Sequence, residues 1–384
     1  MNKKDEFPKG FLWGAATASY QVEGGIYNCD WAQAATEGKV PVCGEACDHY
    51  NRFVDDFDIA KSLGHNTHRI SVEWARIEPK EGEFDAEVIE HYRDVLRALH
   101  ERSLKPLVTI YHFTLPLWFS EGGGWERKDA VKKFSQYAQY VVQELGDLCD
   151  NFVTINEPLV LASIGYVRGA WPPLYKNNFL RYLKVTRQLA DAHNSAYKAI
   201  KEINPHVDVG IVKHMSVYEA NWNPFNRFLA WVVNRHWTYS FMNKVCKHSD
   251  FIGVNYYRRR ILGDTRELQK TDMGWTVDPE GIYSAIRMLD RYKLPIYISE
   301  AGCADAKDKF RADYIRDTVV GILQALNDGA DVRGFCYWSL LDNYEWSEGF
   351  DKKFGLVEVN YDTQERTIRP SAHVYKELIS HYSK

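Results

Sequence analysis

Short runs of apolar, β-branched and aromatic residues recur along the chain, and between them the apolar positions fall into a helical period. The strand-like runs are "FLWGAAT" (11–17), "THRISVEW" (67–74), "KPLVTIYHF" (105–113) and "NFVTINEP" (151–158), then "DVGIVKHM" (208–215), "DFIGVNYY" (250–257), "PIYISEAG" (295–302) and "VRGFCYWSLL" (332–341). Several are nearly continuous in apolar residues, the pattern of strands covered on both faces. In "AEVIEHYRDVLRALHER", Val88, Ile89, Tyr92, Val95, Leu96 and Leu99 repeat at i, i+3, i+4 and i+7, which makes one face of a helix. "DHYNRFVDDFDIAKSLG" places Tyr50, Phe53, Val54, Phe57, Ile59 and Ala60 mostly on one side and stops at Leu63-Gly64. "ADYIRDTVVGILQALNDG" stops at a C-terminal glycine, Gly329, and "SAHVYKELISHY" follows the eighth strand.

Strands that alternate with helices pair in parallel through right-handed crossovers. Eight such units predict a (β/α)8 TIM barrel, with an open doubly wound sheet as the competing arrangement. No low-complexity linker or internal break divides the chain, so residues 1–384 are expected to form one barrel domain. The stretch 18–50, rich in Gly and Cys, is expected to be an ordered loop over the barrel mouth.

Composition narrows the classes. The chain has 384 residues, 45% of them hydrophobic, enough for a large closed core. A net charge of −4 and the lack of a long Lys/Arg run argue against nucleic acid or an anionic membrane as partner. The seven cysteines show no paired CxxC and no His partner at zinc spacing; they read as free thiols in a reducing compartment. "MNKKDEFPKGF" lacks the apolar segment of a signal peptide, and no run approaches the length of a membrane span, so a cytoplasmic protein is expected. With 12 Trp and 24 Tyr the chain has aromatic surface to stack on sugars, although most of it belongs in a core.

In a barrel of this kind, function sits at the C-terminal strand ends. Gln21 and Glu23 follow the first strand, Arg69 and Glu73 lie on the second, and His112 ends the third. Asn156-Glu157-Pro158 ends the fourth, Asn255-Tyr256-Tyr257 the sixth and Glu300 the seventh. The eighth runs from Trp338 to Asp342, Asn343, Glu345 and Trp346. There is no glycine-rich phosphate loop and no GxSxG elbow. Two carboxylates facing each other from strands four and seven suit glycoside hydrolysis, where one carboxyl donates a proton and the other stays ionised. Arg69 is a candidate cation for the ionised one.

These residues carry a resemblance. "FPKGFLWGAATASYQVEGG", "TINEP", "GVNYY", "YISEAG" and "YWSLLDNYEW…FGLV" resemble, in order, the motifs of glycoside hydrolase family 1, the β-glucosidase and β-galactosidase family. "NCDWAQ" and "YHFTLPLWF" look closer to archaeal-type members than to plant ones. The resemblance implies a retaining, exo-acting β-glycosidase. Glu157 would be the general acid/base and Glu300 the nucleophile, with Arg69 and Tyr257 supporting Glu300. Gln21, His112, Asn156, Glu345 and Trp346 would grip the sugar hydroxyls, Trp338 would stack beneath the ring, and Asn255 and Phe354 would line the same pocket. It implies no metal and no organic cofactor, and a small β-glycoside or oligosaccharide as partner; it leaves oligomeric state and the choice among glucose, galactose and fucose open. "Asn343-Tyr344-Glu345-Trp346" keeps the neutral-sugar form rather than that of the 6-phospho-glycosidases, and Glu157 separates the chain from myrosinase-like members.

Two departures stand out. The chain is shorter than most members, and a brief segment between strands six and seven is expected to open the aglycone side. Ala301 stands where the family usually has Asn, which would loosen Glu300 and slow the reaction. That substitution keeps a catalytically silent sugar-binding barrel in view, beside a related barrel endo-glycosidase.

Overall fold

The computed structural model describes residues 6–383. Eight parallel strands close on themselves: β1 (Leu12–Ala16), β2 (Thr67–Ser71), β3 (Lys105–Tyr111), β4 (Asn151–Asn156), β5 (Asp208–His214), β6 (Phe251–Tyr256), β7 (Ile296–Ala301) and β8 (Val332–Trp338). Ala16 of β1 lies opposite Trp338 of β8 and opposite Arg69 of β2, so the sheet has no edge. This is the (β/α)8 barrel expected from the alternation, not the open sheet. Each strand lies inside its predicted run, and the runs overshoot at their C-terminal ends. Past Ser71 the chain turns into a short helix, Trp74–Ile77, whose first turn is capped by the Glu73 carboxylate accepting from the Ala75 N–H (3.3 Å).

The helices follow the apolar stripes. Ala86–Glu101 starts where the Asp85 carboxylate accepts from the Glu87 and Val88 N–H groups (2.9 and 3.1 Å), and it buries Ile89, Tyr92, Val95, Leu96 and Leu99. His49–Ser62 departs from its predicted face: Val54 is exposed, and the polar Asp56 is fully buried. Asp56 can sit there because His49 (2.7 Å) and Arg366 (2.9 Å) bond to its carboxylate. Residues 18–50 are ordered as expected, but they contain two helices, Ser19–Val22 and Asp30–Thr36. All seven cysteines are free.

The barrel interior is layered. Its lower bore is filled by Leu107, Val153, Val212 and Phe251, with Tyr297 against them. Gly210 makes room for this plug, since a Cβ there would lie 2.5 Å from the Phe251 ring. Above it sits a buried polar layer of Arg69, Thr109, Asn255 and Ser299, and above that the mouth.

One arrangement was not legible in the sequence. Beyond the mouth, the chain leaving β5 and the chain leaving β6 pair again as a parallel strip, Val217–Ala220 with Arg259–Leu262. The segment between β6 and β7 is therefore not the brief connection expected. It carries this strand, a loop and the helix Gly281–Leu289, and it places Met273 and Trp275 in the wall of the cavity. Among the described residues no helix is long and apolar enough to cross a membrane.

Candidate active site

A carboxylate at the end of an apolar strand is costly unless it has partners. Glu300 has two. It forms an ion pair with Arg69, which reaches it from β2, and it accepts a hydrogen bond from the Tyr257 hydroxyl. Burial and the Glu300 charge push the Tyr257 phenol well above its ordinary value, so it stays a donor. Arg69 is itself satisfied all round, donating to Thr109 Oγ1 (3.0 Å) and Asn156 Oδ1 (2.8 Å). The strand register explains how Glu300 is aimed. Val254 lies opposite Ile298 and Asn255 opposite Glu300, so Ser299 is an extra residue, a bulge of the kind that re-aims side chains at barrel rims. Its Oγ donates to Asn255 Oδ1 (2.8 Å).

Glu157 is positioned by the same device. The pairing of β4 with β5 slips between Val153 and Asn156, just before it. Glu157 then takes a left-handed backbone (φ 42°) at the start of the helix Pro158–Tyr166, and its side chain caps nothing. A non-glycine residue held there is strained, and such strain gathers at functional sites. The Asn255 amide donates to Glu157 Oε1 (2.8 Å). Burial, and after it the nearby Glu300 charge, raise the Glu157 carboxyl to about 8. The two carboxyls thus sit in one cavity with opposite surroundings, a cation and a phenol for Glu300 and a neutral amide for Glu157.

The inner end of the cavity is lined by Gln21, His112, Trp338, Glu345, Trp346 and Phe354. Three of these carry a buried polar atom with no partner in the protein: Gln21 Oε1, His112 Nδ1 and Glu345 Oε2. Such atoms are rare in a finished core and suit a polar ligand. The His112 tautomer follows from its neighbours. Asn156 Oδ1 accepts from Arg69 and from Asn255 (3.2 Å), so the Asn156 amide NH2 faces His112 Nε2 (3.2 Å). Nε2 must accept, and Nδ1–H is left as a free donor. Burial, with the Arg69 charge, holds His112 neutral. Trp346 is held by Tyr20, stacked at 6.1 Å, and by Trp31 at 4.8 Å, both from the 18–50 stretch.

A family model described as "Glycosyl hydrolase family 1" matches residues 3–253 and 258–383. The chain belongs to glycosyl hydrolase family 1. It is a glycosidase, and it is 31% identical to "Beta-glucosidase A" of Thermotoga maritima, over 99% of this chain and 98% of the relative. It is 31% identical to a "Beta-galactosidase" of Sulfolobus acidocaldarius, over 97% and 94%. Among solved structures it superposes on "beta-glycosidase from Pyrococcus horikoshii" with a TM-score of 0.91 at 35% identity, covering 99% and 98% of the two chains. On "Beta-glucosidase from Thermotoga maritima in complex with glucoimidazole" the TM-score is 0.92 at 30% identity, with 99% and 100% covered. The alignment with the Thermotoga maritima β-glucosidase spans 441 positions against the 384 residues of this family member, so segments of that relative have no counterpart in it.

In this family 1 chain the structure brings together eleven of the twelve site residues read from the sequence: ten line the cavity, and Arg69 lies just beneath it, bonded to Glu300. The twelfth, Asn255, does not line the cavity. It is fully buried behind Glu157 and holds that carboxyl in place. Glu23 and Glu73 also turn away from the cavity. Glu23 pairs with Arg76 (3.0 Å), and Glu73 accepts from Ser19 (3.0 Å) and Thr114 (2.9 Å). Ala301 is fully buried in the apolar packing around the barrel, and Glu300 is bonded without help from that position. Gly302 beside it is obligatory, because a Cβ there would lie 1.9 Å from the Trp338 carbonyl oxygen.

Sequence reasoning missed the cavity's outer half. Val160, Ile164, Trp171, His214, Trp237 and Trp275 form its apolar and aromatic walls. It also missed Lys213, fully buried on β5 under Trp237 (4.8 Å from ammonium to ring centre). Burial pulls the Lys213 ammonium down to about 7, and Glu157 is the one charge that supports it. A lysine inside the apolar run "DVGIVKHM" was the available signal. Among the described residues no group of three or more His, Cys, Asp or Glu side chains is placed to hold a metal ion.

Proposed function

We propose that this enzyme removes single β-D-glycosyl units, of the glucose, galactose or fucose type, from non-reducing ends with retention of configuration. The observation that carries this reading is the pair of buried carboxyls in one cavity, Glu300 held by Arg69 and Tyr257 and Glu157 held by a neutral amide with its acid form favoured. In the first step a Glu300 oxygen attacks the anomeric carbon while Glu157 gives its proton to the departing glycosidic oxygen, and the aglycone leaves neutral. In the second, Glu157, now a carboxylate, takes a proton from water. The water oxygen bonds to the anomeric carbon, and the bond to Glu300 breaks. Two inversions at one carbon restore the starting anomer.

The unpartnered Gln21, His112 and Glu345 atoms support a terminal sugar at the inner end, where each would bond a hydroxyl above the Trp338 indole. Burial, and next the Glu300 charge, raise the Glu345 carboxyl to about 8, so near neutrality it can donate as well as accept. The names of the relatives, β-glucosidase and β-galactosidase, support the same substrate class. The test is a panel of p-nitrophenyl β-glycosides with wild type and Glu300→Ala. The reading requires turnover of at least one neutral hexoside by wild type and its collapse in the variant. Equal, negligible rates would favour a silent sugar-binding barrel.

A further inference from the structure

The outer wall of the cavity carries a charge pattern that hydrolysis of a neutral glycoside does not use. Arg168, Arg258, Arg260 and Lys352 all line it. Among the described residues, Glu348 on the rim is the one acid there besides the three deep glutamates, in a chain whose net charge is −4. The strand after β6 explains the arrangement. Arg258 immediately precedes the strand Arg259–Leu262 and Arg260 lies within it; both line the cavity, and Arg259 between them does not. Arg259 is paired twice, with Glu219 (3.1 Å) and Asp278 (3.0 Å). Arg258 and Arg260 have no acidic partner among the described residues, and neither have Arg168 and Lys352. Arg258 is half-buried and lies over the Trp275 ring (4.7 Å); Arg260 lies over Tyr218 (5.9 Å). Burial, and then the charges of Arg260 and Arg168, lower the Arg258 guanidinium to about 10, so these like charges repel one another. A half-buried guanidinium such as Arg258, without an acidic partner and repelled by its neighbours, loses free energy unless an anion joins it.

We propose that the outer half of the cavity is an anion-binding aglycone subsite, and that the preferred β-glycosides carry a carboxylate or phosphate on the leaving group. This rests on the glycosidase reading above. Arg258 and Arg260, with Arg168, bond the anion, while Trp275 and Trp237 cover the apolar part of the aglycone. The same cations draw an anionic substrate to the mouth, an attraction that salt screens.

The experiment compares kcat/KM for three aryl β-glycosides of the sugar that turns over best: 4-carboxyphenyl, 4-phosphonophenyl and the neutral 4-(methoxycarbonyl)phenyl. Ratios of anionic to neutral substrate are taken in wild type, Arg258→Gln and Arg168→Gln, at low and high salt. The ratio cancels any general loss in a variant, and the salt series needs no variant. The expected result is a ratio that falls about tenfold in Arg258→Gln, less in Arg168→Gln, and falls with added salt in wild type. The larger effect, carboxylate or phosphonate, names the anion. Ratios that hold within twofold across both variants and all salt concentrations overturn the subsite while leaving the glycosidase intact. No turnover of any of the three overturns both readings.

Discussion

At Glu157 the acid form is favoured because burial and the Glu300 charge both oppose ionisation. A general acid must hold its proton to donate it, so kcat/KM falls on the alkaline side as pH rises through about 8, where this carboxyl ionises. Lys213 belongs to the same titration, since its positive charge lowers the Glu157 pKa. Lys213→Met removes that charge, so the alkaline limb of the pH profile moves to higher pH, by a small step because the ammonium is itself largely discharged by pH 8; a limb that moves to lower pH denies the coupling. Glu157→Gln keeps the Asn255 contact but cannot donate a proton. For an alkyl β-glycoside, kcat/KM drops by about 10²–10⁴-fold, and for a dinitrophenyl glycoside, whose leaving group needs no proton, it drops far less. Equal losses on both substrates would remove Glu157 from the acid role.

The strands and their bulges decide where these residues point. Period and composition were enough to read the eight strands, and the motifs at their ends were enough to single out Glu157, Glu300 and most of the residues that line the same cavity. The bulge at Ser299 was not legible, because "PIYISEAG" has the same letters in either register. The strip joining Val217–Ala220 to Arg259–Leu262 was not legible either, since pairing between residues 42 positions apart in two short segments leaves no local signature. Asn255 looked like a sugar ligand for a related reason: a sequence tells which strand end carries an amide but not whether it faces the cavity or the residue behind it. Ala301 changes meaning at this scale. It fills a fully buried apolar position, so Ala301→Asn is expected to cost about 1–3 kcal/mol of stability on thermal or denaturant unfolding and to leave the sugar preference alone. A rise in kcat without loss of stability would restore the view that the missing amide weakens Glu300. Phe251 plugs the lower bore under the site, and Phe251→Ala should cost about 3–5 kcal/mol.

For the whole molecule, closure is the organising fact. β1 and β8 come from opposite ends of the chain and pair along five residues, from Leu12 opposite Gly334 to Ala16 opposite Trp338. Arg69 reaches across the barrel interior beneath the cavity to Glu300, and residues 18–50 brace Trp346 on the far side of the site. We therefore propose that residues 6–383 form one domain, and calorimetry should show a single unfolding transition; a separate early transition would divide it. In the proposed reaction Glu300 attacks the sugar and Glu157 serves it with protons. The direct test is to trap the intermediate with a 2-deoxy-2-fluoro-β-glycoside bearing a dinitrophenyl leaving group and to locate the adduct by mass spectrometry of peptides. The expected result is one equivalent of sugar on Glu300 and a β-configured first product from ordinary substrates. A label on Glu157, or turnover with no adduct and an α-configured first product, would contradict it.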